Sequence, residues 1–297
     1  MLSYDEFKME LLKGVREKAG SDVTVEIVPI RKNNRAEKDA IAFADKDNNL
    51  QPLIYLDSIY SQYRAGAELS VCVGFTVEVY RSAMEIDMDM AYKEWKDVCG
   101  KIEMTVINKA WNADAMSGIP HKDFLDLVLY CRIIIDKNEN GVASTIVQNH
   151  MLKEWGISEE ALWETAFSNL KTEEFDIKDV NEVLRFLFRE GDLTGVSDKD
   201  QFEPELYVLT NKYQNRGAVG MLRTDLLEKF AEQGDSDLYI LPSSIHEVLL
   251  LRGDAMSADE LRGIVRSVNN DMVDEMDRLS DEVYYYQRGS GKLEIAA

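Results

Sequence analysis

Covalent and metal staples are scarce in this chain. Its 297 residues include three cysteines, Cys72, Cys99 and Cys131, far apart and without CxxC spacing. An odd, scattered set excludes a disulfide framework or a zinc knuckle as the organising device. The three read as reduced, mostly buried small hydrophobes. Histidine is equally rare: His121, His150 and His246 could meet on a metal only by long-range folding, so no metal site is expected. With five prolines, no segment has the make-up of a disordered linker. No uncharged apolar run approaches the roughly 18 residues that a membrane span needs. The opening MLSYDEFKMELLKG lacks the basic and apolar regions of a secretion signal.

Nucleotide and catalytic signatures are missing too. There is no GxxxxGK[ST], no GxGxxG and no GxSxG elbow. Gly217 and Gly220 are too close and lack the downstream dinucleotide pattern. After His246 and Glu247, Leu250 stands where a zincin places its second histidine. Glu85–Met90 is calcium-like only in its alternating acids. Asp136, Asn138, Asn140 and Gly141 open like an EF-hand loop, but Val147 occupies the position of the bidentate glutamate. No cofactor is expected.

What the chain has in quantity is acid. Its formal charge is −21, and the distribution is uneven: residues 1–148 carry 18 Lys and Arg against 24 Asp and Glu, residues 149–297 carry 16 against 31. Such a field repels nucleic-acid phosphates and anionic membranes, so neither is an expected partner. Its main effect is solubility, and the expected compartment is the cytoplasm. A domain usually takes about 100–200 residues. Two sub-domains are therefore expected, 1–148 and 149–297.

Hydrophobic periodicity gives a mixed reading. Ser3 and Glu6 form a capping box before Phe7, Leu11, Leu12 and Val15 at helical spacing, with Gly20 as the stop. The β-branched run 23–30 and short runs at 40–44 and 51–56 predict a three-stranded antiparallel meander. Residues 57–99 read as helices, with Gly74 weakening one of them. A strand is predicted over 101–108, a short helix over 109–116, and a strand over 123–135 that pairs back with 142–148. Helices are predicted around Ser158–Leu170, over 178–190, over 223–233 and from the Ser257/Glu260 box to about 270. Residues 206–210 and 218–222 read as a hairpin, as do 283–287 and 292–295. Runs at 237–241 and 245–251 read as strands. Trp95, Trp111, Trp155 and Trp163 fall on helical stripes and are expected in the core. Locally joined strands mixed with helices indicate an α+β fold of mostly antiparallel sheets with packed helices.

Two stretches carry a family likeness. Lys153–Glu160, with Leu162 and Ala166–Asn169, resembles a helix of YtpQ-like bacterial proteins. Asp237–Leu251 resembles the closing block of a related family, a domain of unknown function from gut Firmicutes, and Tyr207–Asn211, Pro120, His121 and Tyr284–Tyr286 fit it as well. The likeness covers most of the chain and implies no catalytic residues. The Gly-Asp-rich segment of the YtpQ-like proteins is absent here.

The most chemically suggestive cluster is Ser243, Ser244, His246 and Glu247. On a strand over 245–251, Ser244 and His246 would project from one face and Glu247 from the other. A serine activated by a histidine needs a hydrogen bond of about 3 Å, whereas residues two apart on a strand start about 6–7 Å apart. A prolyl-seryl turn leading into a core strand is the competing explanation. Tyr239, Tyr284 and Tyr286 are candidate ligand contacts, against partial burial with hydroxyls reaching water. The preferred functional expectation is a non-enzymatic module that binds a protein or a small ligand. Alternatives are a hydrolase-like enzyme using Ser244 and His246, and an acidic mimic of nucleic acid that binds a basic partner.

Overall fold

A computed structural model describes residues 1–31, 33–45, 52–84, 93–138, 141–180, 206–242, 244–253 and 256–297. Among them every strand pairing is antiparallel, and helices pack beside the sheets, an α+β fold. Contacts divide the chain into two units, Met1–Glu94 and Trp95–Ala297. The boundary read from the sequence, after residue 148, falls inside the second unit. There, the helix Glu159–Thr172 packs against the strand Ile102–Asn108, tying together segments on either side of 148.

In the first unit, α1 (Tyr4–Ala19) begins at the Ser3/Glu6 capping box and stops at Gly20, whose φ of 106° favours a residue without Cβ. β1 (Val23–Arg31), β2 (Glu37–Asp45) and β3 (Leu53–Tyr55) form the expected meander. α2 (Leu56–Arg64) and α3 (Leu69–Met84) follow. Phe7, Leu11 and Val15 of α1 join Val25, Ile41, Phe43, Val73 and Val77 in one core. α1 and α3 approach closely at Gly14, where a Cβ would stand 2.7 Å from Val73. The third helical stripe expected in this region starts among residues 85–92, outside the described residues.

The second unit opens with α4 (Trp95–Val98) and a four-stranded sheet. β6 (Leu127–Asn138) is its spine; β4 (Ile102–Asn108) lies along one edge, β5 (His121–Phe124) and β7 (Gly141–Ile146) along the other. The strand expected over 123–135 is thus a hairpin bend plus a strand: Leu125, at φ 54°, turns the chain back. α5 (Asn149–Trp155) and α6 (Glu159–Thr172) follow, the latter capped by Ser158. A six-stranded sheet comes next. Its spatial order is β13 (Lys292–Ile295), β12 (Tyr284–Gln287), β10 (Leu238–Leu241), β11 (Glu247–Arg252), β9 (Leu206–Asn211), β8 (Phe175–Asp179). α7 (Thr224–Gly234) and α8 (Ala258–Met272) complete the unit.

Three expectations change. Residues 178–179, expected to open a helix, end strand β8, and the expected helix lies outside the described residues from 181 onward. Residues 218–222 are no strand; Gly217–Leu222 is a tight 3-10 turn with five of its residues buried. It is compact because two glycines let it sink inward: a Cβ on Gly220 would meet the Phe175 ring at 2.6 Å. Of the four tryptophans, Trp163 is in the core, while Trp95, Trp111 and Trp155 are only half-buried.

Two glycines should respond in opposite ways. A Cβ at Gly74, inside α3, meets nothing within 4 Å, so Gly74→Ala should stabilise the protein by about 0.5–1 kcal/mol. A Cβ at Gly217 would fall 2.5 Å from Thr210 Oγ1, 2.6 Å from the Asn211 nitrogen and 2.7 Å from the His246 oxygen. Backbone atoms cannot yield, and Gly217→Ala should cost about 1–3 kcal/mol or more. Urea denaturation of both variants checks the pair of signs.

Candidate functional site

The serine–histidine cluster lies where the chain turns from β10 into β11. Ser243 is outside the described residues. Ser244 is buried; its Oγ donates to Glu247 Oε1 at 2.7 Å and accepts the His246 N–H at 3.0 Å. The strand begins at Glu247, so Ser244 and His246 sit in the turn rather than side by side on a strand face. The imidazole is held elsewhere. The Arg216 N–H donates to Nδ1 at 3.3 Å, and Nε2 lies 3.2 Å from Asp277 Oδ1. With a backbone donor at Nδ1, the proton of the neutral ring belongs on Nε2, directed at Asp277. The structure thus brings Ser244, His246 and Glu247 together but does not join the serine hydroxyl to the imidazole.

The tyrosine candidates occupy the six-stranded sheet. Tyr284 is fully buried, and its hydroxyl donates to Asp126 Oδ1 at 2.8 Å, while Ser280 donates to the other oxygen. Burial, then the Asp126 charge, raises the Tyr284 phenol well above its ordinary pKa. Tyr286 is also buried and donates to Glu228 Oε2 at 2.7 Å. Tyr239 is half-buried, edge-on to Tyr285 with centroids 5.4 Å apart. The two buried hydroxyls are therefore committed to internal carboxylates. Among the described residues, no group of three or more His, Cys, Asp or Glu side chains is placed to hold a metal ion.

A different place has the shape of a site. A cleft of about 210 Å³ is lined by Lys137, Glu173, Glu174, Asn211, Lys212 and Tyr213. β6 supplies Lys137, the segment after α6 supplies the two glutamates, and the end of β9 with its following loop supplies the rest. Asn211 braces the loop, accepting from the Asn215 N–H at 3.2 Å and donating to the Asn215 carbonyl at 2.9 Å and to Glu173 Oε1 at 2.9 Å. Gln214 and Arg216 hold φ of 49° and 53°, in the left-handed region that side chains rarely occupy. Lys137 Nζ lies 4.1 Å above the Tyr213 ring and donates to Glu103 Oε1 at 2.8 Å.

Glu103 connects the cleft to a cationic cluster on one face of the four-stranded sheet. Glu103 pairs in register with Arg132, and Thr105 with Tyr130, so these four share a face. Arg132 is only 6% exposed. It donates to Ser144 Oγ at 3.1 Å and, more loosely, to Glu103 Oε2 at 3.4 Å, and its Nε has no partner among the described residues. Burial first, then the neighbouring Arg216, pushes its pKa down to about 10. Arg216 donates to Tyr130 OH at 3.2 Å and Thr105 Oγ1 at 3.4 Å. Glu173 sits within the same field: burial, then the Glu103 charge, raises its carboxyl above the ordinary range, against the pull of Asn211, Lys137 and Arg132. None of these residues was singled out from sequence. One signal was readable, a lone arginine inside the run Leu127–Ile135, because a charge in a buried strand demands a partner.

Comparison with known proteins gives one match. The chain belongs to a family of unknown function (DUF5688), whose model covers residues 4–288. No curated protein and no solved structure matches it.

The Glu173 carboxyl gives the site a pH signature. A carboxyl whose folded pKa is raised stabilises the fold below its unfolded value and loses that contribution as pH rises through the folded one. The wild type should therefore lose stability, relative to Glu173→Gln, as pH climbs above 4.5, the ordinary glutamate value. Paired urea titrations between acid and neutral pH read this difference. A constant offset between the two proteins across that range would contradict the assigned environment.

Proposed function

We propose that this family member is a non-enzymatic binding module whose ligand is a small molecule seated in the cleft beside Tyr213. The observation that carries the reading is a set of unspent groups on a braced frame. Among the described residues, the Lys212 ammonium, the Glu174 carboxylate and the Tyr213 hydroxyl have no side-chain hydrogen-bond partner, while Asn211 fixes the loop that presents the lysine and the tyrosine and ties it to Glu173, the neighbour of Glu174. Convergent polar groups around an aromatic wall are the usual make-up of a small-ligand site. The volume of about 210 Å³ suits a metabolite rather than a drug-sized molecule or a protein segment.

The hydrolase-like reading has less support, because Ser244 and His246 each serve other partners. The nucleic-acid mimic is also the weaker reading. Several acids of the second half face internal cations or hydroxyls: Asp225 on Arg223, Glu282 on Arg262, Glu228 on Tyr286. No helix among the described residues is long and apolar enough to cross a membrane. Three unpaired thiols suit a reducing compartment such as the cytoplasm.

A thermal-shift screen of polar metabolites, followed by calorimetry on the hits, tests the proposal. Lys212→Ala and Tyr213→Ala alter exposed side chains and should leave the melting temperature of the free protein nearly unchanged. Each should weaken the hit about ten-fold, or about 1.4 kcal/mol. Hits whose affinity ignores both variants, or turnover of an ester that depends on Ser244, would sink the reading.

A further inference from the structure

The lining of the cleft balances its own charge, two lysines against two glutamates. Two of the four are spent inside the fold. Lys137 donates to Glu103 Oε1 at 2.8 Å, and Glu173 Oε1 accepts the Asn211 amide at 2.9 Å. The other two, Lys212 and Glu174, are exposed, and among the described residues neither has a side-chain hydrogen bond or an ion pair. The sheet sets them side by side. β8 and β9 pair Phe175 with Asn211, so the next step of the ladder brings Glu174 opposite Lys212, and the Lys212 N–H donates to the Glu174 carbonyl at 3.4 Å. Opposite residues of an antiparallel ladder share a face, with Cβ atoms about 4.5–5.5 Å apart. Two free charges of opposite sign therefore stand on one stretch of the lining, within reach of one small molecule, without bonding to each other.

We infer that the cleft receives a free α-amino acid, with its ammonium on the Glu174 carboxylate and its carboxylate on the Lys212 ammonium. A lone anion would satisfy Lys212 but face Glu174, a lone cation would do the reverse, and an uncharged molecule would draw neither strongly. A zwitterion answers both charges at once. An α-amino acid carries its two charged groups on one carbon, which suits partners presented by neighbouring strands. Both contacts would join full charges, the stronger kind of hydrogen bond. Tyr213 supplies a wall for the amino acid's side chain. Lys137 Nζ, 4.1 Å over the ring, keeps the ring in place, and Asn211 braces the loop. A cleft of about 210 Å³ is smaller than the drug-sized pockets of about 300–1,000 Å³ and suits a single amino acid rather than a peptide. Resting on the reading of the cleft as a ligand site, the assignment adds a demand of its own, that one ligand carry both charges.

The experiment is calorimetry on the full chain with each of the common L-amino acids alone, then with the N-acetyl and C-amide derivatives of the tightest binder. Saturable binding of at least one amino acid is expected. Acetylation removes the ammonium charge and amidation the carboxylate, and each should weaken binding about ten-fold or more. Glu174→Gln should weaken the amino acid to a similar extent and change the N-acetyl derivative little. Lys212→Gln should weaken the amino acid and change the amide little. The derivatives test the wild type directly, whether or not a variant folds. No saturable binding of any amino acid, or a binder that tolerates the loss of either charge, overturns the inference. If uncharged metabolites bind and respond to Tyr213→Ala while every amino acid fails, the binding proposal stands and only the zwitterion assignment falls. If an amino acid binds with both charges required, yet Glu174→Gln, Lys212→Gln and Tyr213→Ala change nothing, the cleft is the part that fails, and this assignment with it.

Discussion

The guanidinium of Arg132 sets the strongest local constraint on the second unit. Taking an arginine almost wholly out of water costs several kcal/mol unless its charge is matched and its N–H groups are engaged. Arg132 sits on the central strand of a sheet, where alternation sends Leu129, Cys131 and Ile133 to one face and Tyr130 and Arg132 to the other. The apolar face is closed by burial. The polar face needs Glu103 across the ladder on β4, Ser144 from β7 and the Arg216 loop above. One residue therefore dictates what its neighbours on two other strands must be.

The same logic extends into the six-stranded sheet. Arg216 reaches down to Thr105 and Tyr130 with its side chain and across to His246 with its backbone. His246 passes the connection to Asp277, whose carbonyl accepts the Ile245 N–H at 2.7 Å. Thr210 closes the circuit by donating to the His246 carbonyl at 2.8 Å. Gly217 is required because this circuit leaves no volume for a Cβ. His246, a catalytic candidate by sequence, in this arrangement bridges the Arg216 backbone and Asp277. A buried polar network of this kind gives a unique arrangement only when its members are satisfied together. Asp126 plays a similar part elsewhere, joining the β5–β6 bend to Ser280 and Tyr284.

What could be read in advance follows from how local each determinant is. The Ser3/Glu6 and Ser257/Glu260 boxes, the Ser158 cap, the meander and the last hairpin depend on residues within a few positions of one another. The bend at Leu125 does not: leucine gives no sign of a positive φ, and the apolar run continues through it. The turn at Gly217–Leu222 is apolar enough to pass for a strand, and only its packing against Phe175 and His246 decides otherwise. The candidate cleft was invisible for the same reason. Its lining comes from positions 137, 173, 174 and 211–213, and no spacing in the sequence links them. The one local trace, lone Arg132, lies on the sheet face beside it, joined to the lining residue Lys137 through Glu103.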